Sequence, residues 1–250
     1  MLQIHHVPVI ILNSLLVTTI TTVSLAYYYG HITYYVPYIS DSGTYPPESC
    51  IFAQSLNIIS ALMAFIIYVR YLQVNEIITR STARLESYNK ICLILGFIAC
   101  LGVSLVGNFQ ETNTLVIHWI ASTMAFGGGS LYQLVQNIMA FKENKIFSSN
   151  LTRNLQKVST VVSIASFIIF FCTGLISLSQ FRGEYLTKWK EEDGGYDIHI
   201  ISTVTEWICA STILGYLSLF SQEFKEINFK GISVSLKSKD LNLNREFEGL

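Results

Sequence analysis

Glu206 is the first residue here that needs a chemical reason. It stands a few positions from the middle of an apolar run, Ile198 to Ser221, where a charged side chain costs roughly 2.5 to 3.5 kcal/mol on membrane-insertion scales. Such a carboxyl must be protonated, paired or turned toward water. Helical spacing puts it on one face with His199, Ser202, Thr203 and Ala210, so the carboxyl is expected to point at protein and away from lipid. His118, near one end of another run, and Asn57, in a third, complete a candidate intramembrane polar site. Its chemistry is a response to protons or to a lipid headgroup. The structural alternative is a carboxyl hydrogen-bonded to hydroxyls or an indole.

A second candidate is the segment PYISDSGTYPPESC, Pro37 to Cys50, which carries three of the four prolines and two carboxylates between apolar runs. Asp41-Ser42-Gly43 suits a turn with Gly43 at positive φ. Pro46-Pro47-Glu48 suits a helix start, with proline in the first turn and Glu48 at the positive end of the helix dipole. Pro37, Tyr38, Asp41, Gly43, Pro46, Pro47 and Glu48 thus read as an ordered joint that ends one helix and begins the next, and as a candidate contact for a partner.

Other chemistry has little footing. There is no G-x-S-x-G, H-E-x-x-H or Walker sequence and no Cys/His cluster at metal spacing, so no catalytic residue, metal or cofactor is assigned. Asp197 and His199 are two apart and cannot share a helix face. Of five cysteines only Cys50 lies near an oxidising compartment, which leaves no disulfide framework. Catalysis stays open, with no residue pattern proposing it.

The elements that must hold these residues follow from hydropathy. Hydrophobic residues make up 51% of the chain and charged ones 13%, with mean hydropathy +0.44; that is about half the charge of a typical soluble domain. Six apolar runs approach the roughly 20 residues needed to cross a bilayer: Val7 to Tyr29, Ile51 to Tyr71, Tyr88 to Gly107, Thr114 to Phe141, Lys157 to Ser179 and Ile198 to Ser221. The expected fold is all-α, a polytopic transmembrane helical bundle over residues 1–221, with the first span a retained signal anchor. A cytosolic tail, 222–250, is expected to be mostly disordered after a short helical start at Ser221 to Phe229. All Lys and Arg except Arg182, Lys188 and Lys190 fall in the segments around Arg70 to Lys90, Lys142 to Lys157 and Lys225 to Arg245. The positive-inside rule then places both termini in the cytosol and Pro37 to Cys50 on the luminal or outer side. The sequon Asn150-Leu151-Thr152 is cytosolic in this topology and expected to be unmodified.

Small and polar residues recur at helical spacing within the spans: Asn57, Ala61, Ala64 and Tyr68; Gly96, Cys100, Ser104 and Gly107; His118, Ser122, Ala125, Gly129, Gln133 and Gln136; Ser159, Ser163, Ser166, Thr173 and Ser177. In lipid such stripes belong between helices. Gly127-Gly128-Gly129 reads as close packing, with a broken transport helix as the alternative. Tyr27-Tyr28-Tyr29, Tyr34-Tyr35, Tyr68, Tyr71 and Trp189 are expected to anchor at the headgroups. Basic residues scattered over several loops leave no nucleic-acid footprint.

The loop PYISDSGTYPPESCIF, with Asn57, Tyr68-Val69-Arg70-Tyr71, Asn108-Phe109-Gln110, His118, Ser130-Leu131-Tyr132, Gly195-Tyr196, His199 and Glu206-Trp207, closely resembles the DNA damage-regulated autophagy modulator (DRAM) family of six-span membrane proteins, over nearly the whole chain to about Phe224. The resemblance implies a lysosomal or endosomal membrane protein that promotes autophagy, with distant kinship to lipid-remodelling and lipid-organising membrane proteins; a non-enzymatic regulator is the first expectation, with Golgi or plasma membrane as alternative sites. It carries over no catalytic residues. Expected partners are membrane lipids and unidentified proteins met through the luminal or cytosolic loops, not nucleic acid. The alternative function is lipid handling, by remodelling or leaflet distribution, around Glu206 and His118.

Overall fold

Every regular element in the computed structural model is helical among the described residues, which are 3–33, 36–78, 83–143 and 149–229. A 3₁₀ turn, Ile4–His6, leads into α1 (Val7–Tyr28); α2 is Glu48–Ile78 and α3 is Ala83–Asn108. The next stretch is divided into α4 (Glu111–Ser122), a π turn (Thr123–Gly127) and α5 (Gly128–Lys142). Then come α6 (Asn150–Gln180) and α7 (Tyr196–Glu223). A last 3₁₀ turn, Phe224–Glu226, accounts for the helical start expected after Ser221, and residues 230–250, most of the expected disordered tail, lie outside the described residues.

Five stretches are long and apolar enough to cross a membrane: Ile4–Tyr28, Glu48–Ile78, Leu85–Asn108, Asn150–Gln180 and Tyr196–Glu226. The chain is an integral membrane protein. The helices outrun the apolar windows. α2 and α6 have 31 residues each, which at 1.5 Å per residue is about 47 Å against a hydrocarbon core of about 30 Å. The windows end near charged residues, but backbone hydrogen bonds carry the helices on through residues such as Glu76 in α2 and Arg153 in α6. The stretch Thr114 to Phe141, expected as one span, is interrupted by the π turn, and Thr114 itself leaves helical geometry at φ −145° and ψ 61°.

The helices pack around the bundle in chain order, α1 on α2, α2 on α3, α3 on α4 and α5, α5 on α6 and α6 on α7, and α7 closes against α1. The Ile4–His6 turn also packs on the Phe224–Glu226 turn, so the two described ends of the chain share one end of the bundle. Its outer surface is apolar: Val17, Ile20, Val116, Phe141 and Val161 are all exposed. Polar side chains turn inward, because lipid offers them no partner and neighbouring helices do. Ser130 and Ser163 bond across α5 and α6 at 2.7 Å, Asn137 donates to Thr160 at 2.6 Å, Ser60 donates to the Cys100 carbonyl at 2.6 Å, and Ser159 donates to the Thr212 carbonyl at 2.8 Å. The His118-to-Gln136 stripe is buried throughout.

The α2 stripe departs from expectation. Ala61 and Tyr68 face outward, while Phe52, Leu56, Ile59, Met63 and Ile66 face the core. With an outer surface as apolar as the interior, alanines do not mark an interface by themselves. Trp189 is also no headgroup anchor: it is buried, its ring stacks on His199 with centroids 4.0 Å apart, and its Nε1 donates to the Gly194 carbonyl at 2.9 Å. Tyr34 and Tyr35, also expected as anchors, lie outside the described residues.

The glycine triplet is a packing device. A Cβ would stand 3.4 Å from Ala99 of α3 at Gly128, an ordinary contact, but 3.1 Å from Ile213 of α7 at Gly129 and 2.9 Å from the Phe167 ring of α6 at Gly127, where the neighbour would have to give way. The tightest approach in this region comes from the other side. A Cβ on Gly102 of α3 would stand 2.4 Å from the Ala125 backbone nitrogen, inside the π turn.

Candidate functional site

The Pro37-to-Glu48 loop is strapped across one mouth of the bundle, and α7 holds the strap. The Ile39 amide donates to Glu206 Oε2 at 2.7 Å, Tyr38 Oη donates to Ser202 Oγ at 2.8 Å, and Trp207 Nε1 donates to the Pro37 carbonyl at 2.8 Å. Ser202 Oγ in turn donates to the Phe170 carbonyl of α6 at 2.9 Å. One helical face, Ser202, Glu206 and Trp207, therefore reads three consecutive loop residues. Glu206 is 4% exposed and points at protein.

Within the loop, Asp41 Oδ2 accepts from the Tyr38 amide at 2.9 Å and closes a short turn. Ser42 bonds Thr22 of α1 at 2.9 Å and donates to the Ile39 carbonyl at 2.8 Å. The turn is a 3₁₀ segment, Ser40–Gly43, and Gly43 is not at positive φ as expected. Its glycine is required by space: a Cβ there would sit 2.2 Å from the Phe52 ring. Pro46-Pro47 precede α2, which begins at Glu48. Glu48, fully buried, pairs with His31.

Pro37, Asp41, Gly43 and Glu48 are buried, Tyr38 is half-buried, and only Pro46 and Pro47 of the candidate motif are exposed. The loop carboxylates serve its attachment, and the outward face is prolyl.

Behind the strap lie two adjoining cavities that share Ser40 and Glu206. The larger, about 80 Å³, is apolar and takes walls from α1, α2, α3, the π turn and α7, including Leu15, Phe52, Met63, Val106, Phe126 and Ile213. The smaller, about 20 Å³, is bounded by Tyr38, Glu111, His118, Trp119, Ser122 and Phe170. No Lys or Arg lines either one. His118 is fixed by its Nδ1, which donates to the Phe109 carbonyl at 2.7 Å. The structure thus brings His118 and Glu206 to one small chamber. Asn57 does not join them: it bridges α2 to α3, donating to Asn108 at 3.3 Å and accepting from Ser104 at 2.6 Å.

Glu111 is the residue that sequence reasoning missed. It opens α4 and its charge bears on Asp41, whose Oδ1 has no hydrogen-bond partner among the described residues. Burial, and next the Glu111 charge, push the Asp41 carboxyl well above the usual carboxylate range. The only signal for Glu111 was an acid in the six-residue link Asn108 to Asn113.

Comparison with known proteins gives the lineage. The family model described as Frag1/DRAM/Sfk1/Cwh43P N-terminal domain matches residues 3–227. The chain belongs to the DRAM family. It is 34% identical to DNA damage-regulated autophagy modulator protein 2 of Bos taurus, over 80% of this chain and 76% of that one. It is 32% identical to DNA damage-regulated autophagy modulator protein 1 of Homo sapiens, over 80% and 82%, and 29% identical to Modulator of macroautophagy TMEM150B of Danio rerio, over 82% and 77%. No solved structure matches. The DRAM-like residues of the loop and of Glu206-Trp207, about 170 positions apart in sequence, form one hydrogen-bonded unit in this DRAM member.

Proposed function

We propose that this chain is a non-enzymatic, multi-pass regulator of autophagy in the lysosomal or endosomal membrane. It crosses the bilayer six times, with residues 1–221 as the bundle, 222–250 as a cytosolic tail, both termini cytosolic and the Pro37–Glu48 strap luminal. The observation that carries the reading is family membership over most of the chain, with relatives that are named autophagy modulators. Partner proteins meet Pro46 and Pro47 on the luminal side, the exposed part of an otherwise buried loop, or the basic cytosolic loops. The test is to tag the endogenous protein and follow it through starvation. Lysosomal residence and reduced autophagic flux on deletion are the expected results. Steady plasma-membrane residence with flux unchanged overturns the reading.

One observation favours lipid handling as a second reading. Glu206 spends one oxygen on the Ile39 amide and lines two cavities with the other end of its carboxyl unbonded among the described residues. A carboxyl needed only to hold the strap has no reason to border 80 Å³ of apolar space.

A further inference from the structure

We infer that the paired cavities behind the strap form a binding site for a single-chain lipid with a protonated amine head, the ammonium against Glu206 and the chain segment next to it in the apolar chamber. This rests on the lipid-handling reading and names its ligand. Three features select the class.

The first is charge. Glu206 and Glu111 both line the polar chamber, Asp41 faces Glu111, and no Lys or Arg borders either cavity. A phosphate or free carboxylate head would meet carboxyls with no Lys or Arg to offset them. An ammonium meets carboxyls that can release a proton and pair with it.

The second is hydrogen bonding. An ammonium has three donors and no acceptor, and the polar chamber, lined also by Tyr38, His118 and Trp119, includes acceptors for it: the carboxyls of Glu206 and Glu111 and the hydroxyls of Ser40 and Ser122.

The third is size. A dry cavity of about 150 Å³ holds one benzene ring, and this chamber has about 80 Å³. It accepts a segment of one narrow chain and excludes a fused-ring nucleus or two acyl chains side by side. The π turn sets that width, since Ala125 and Phe126 form part of the wall where the α-helical path is broken.

The test uses the full chain in phosphatidylcholine nanodiscs and a photoactivatable, clickable long-chain primary amine. Cross-links are mapped by mass spectrometry, with the unlabelled amine, the matching alcohol and the matching fatty acid as competitors. Labelling is expected on α2 near Phe52 to Met63 and on α7 near Glu206 to Leu214, with the amine displacing the probe at least ten-fold better than the alcohol and the fatty acid displacing none. Ala210→Phe, which fills the chamber without touching the carboxyl, is expected to abolish this labelling, and Glu206→Gln, which can still accept from the Ile39 amide, to erase the preference for amine over alcohol. Thermal melting of each variant reports folding, and the wild-type competition stands without them. Chamber labelling displaced equally by fatty acid overturns the amine assignment while leaving the lipid-handling reading in place. Labelling confined to outward residues such as Val17 and Ile20 overturns both.

Discussion

Asp41 is where pH enters. Burial and the neighbouring Glu111 hold its carboxyl protonated to higher pH in the fold than in the unfolded chain, so between the unfolded value, about 3.9, and the folded one the native state carries the extra proton. Stability from this group is therefore greatest at acid pH and declines as pH rises through that window, by at most about 1.4 kcal/mol per pH unit. Melting of the purified protein is expected at higher temperature at pH 5 than at pH 7.5. Asp41→Asn, which keeps an acceptor for the Tyr38 amide, should flatten the difference; an unchanged slope in the variant would discard this account. At the other end of the bundle, Arg70 and Glu223 form an ion pair with each side chain 1% exposed. Gln73 and Gln136 accept from the guanidinium at 2.8 Å and 3.4 Å, and Gln156 donates to Glu223 at 3.0 Å. Arg70→Met strands Glu223 in the interior and is expected to destabilise by about 3–5 kcal/mol, while Arg70→Met with Glu223→Met restores most of it. Unfolding in detergent checks both variants.

At the scale of elements, the informative contact is α3 against the π turn. Gly102 lets α3 approach the backbone of the turn, and the atoms a side chain would strike are the Ala125 nitrogen and the Ala121 carbonyl, which cannot rotate away as a side chain can. Gly102→Ala is expected to cost about 1–3 kcal/mol. It should also reduce chamber labelling by the amine probe, because Ala125 and Phe126 move with the turn. Gly128→Ala is the comparison: its Cβ would meet Ala99 at 3.4 Å, ordinary contact, and stability within about 0.5 kcal/mol of wild type is expected. Equal costs at the two positions would mean that the π turn is not held by α3.

For the whole molecule, the fourth stretch decides the topology. If α4, the π turn and α5 together cross the bilayer, Asn113 and Ser149 lie on opposite sides. In a background without the five native cysteines, single cysteines at these positions are expected to react with a membrane-impermeant reagent from opposite faces. Reaction from one face rejects six crossings. Asn150 opens α6, and in the six-crossing topology its sequon never meets the glycosylation machinery, so glycosidase treatment is expected to leave the protein's mobility unchanged.

Helix content and the inward face of α7 were legible from residues alone, because apolar runs of membrane length can satisfy their backbone only as helices and because a carboxyl at Glu206 has no stable orientation toward lipid. The start of α2 at Glu48 was legible for a local reason as well, proline and acid at a helix N-terminus. The stripe through Ala61 and Tyr68 was misread because small residues in lipid carry no hydropathic signal of inside or outside. Gly43 was misread because a glycine can be demanded by torsion or by space, and only the position of Phe52 shows which. What tertiary structure alone decided is the site: that Ile39 binds Glu206, that Glu111 comes to Asp41, that His118 shares a chamber with Glu206 and Asn57 does not. Each of these joins residues far apart in the chain, and such distances are set by how helices pack around one another, a property that no local spacing encodes.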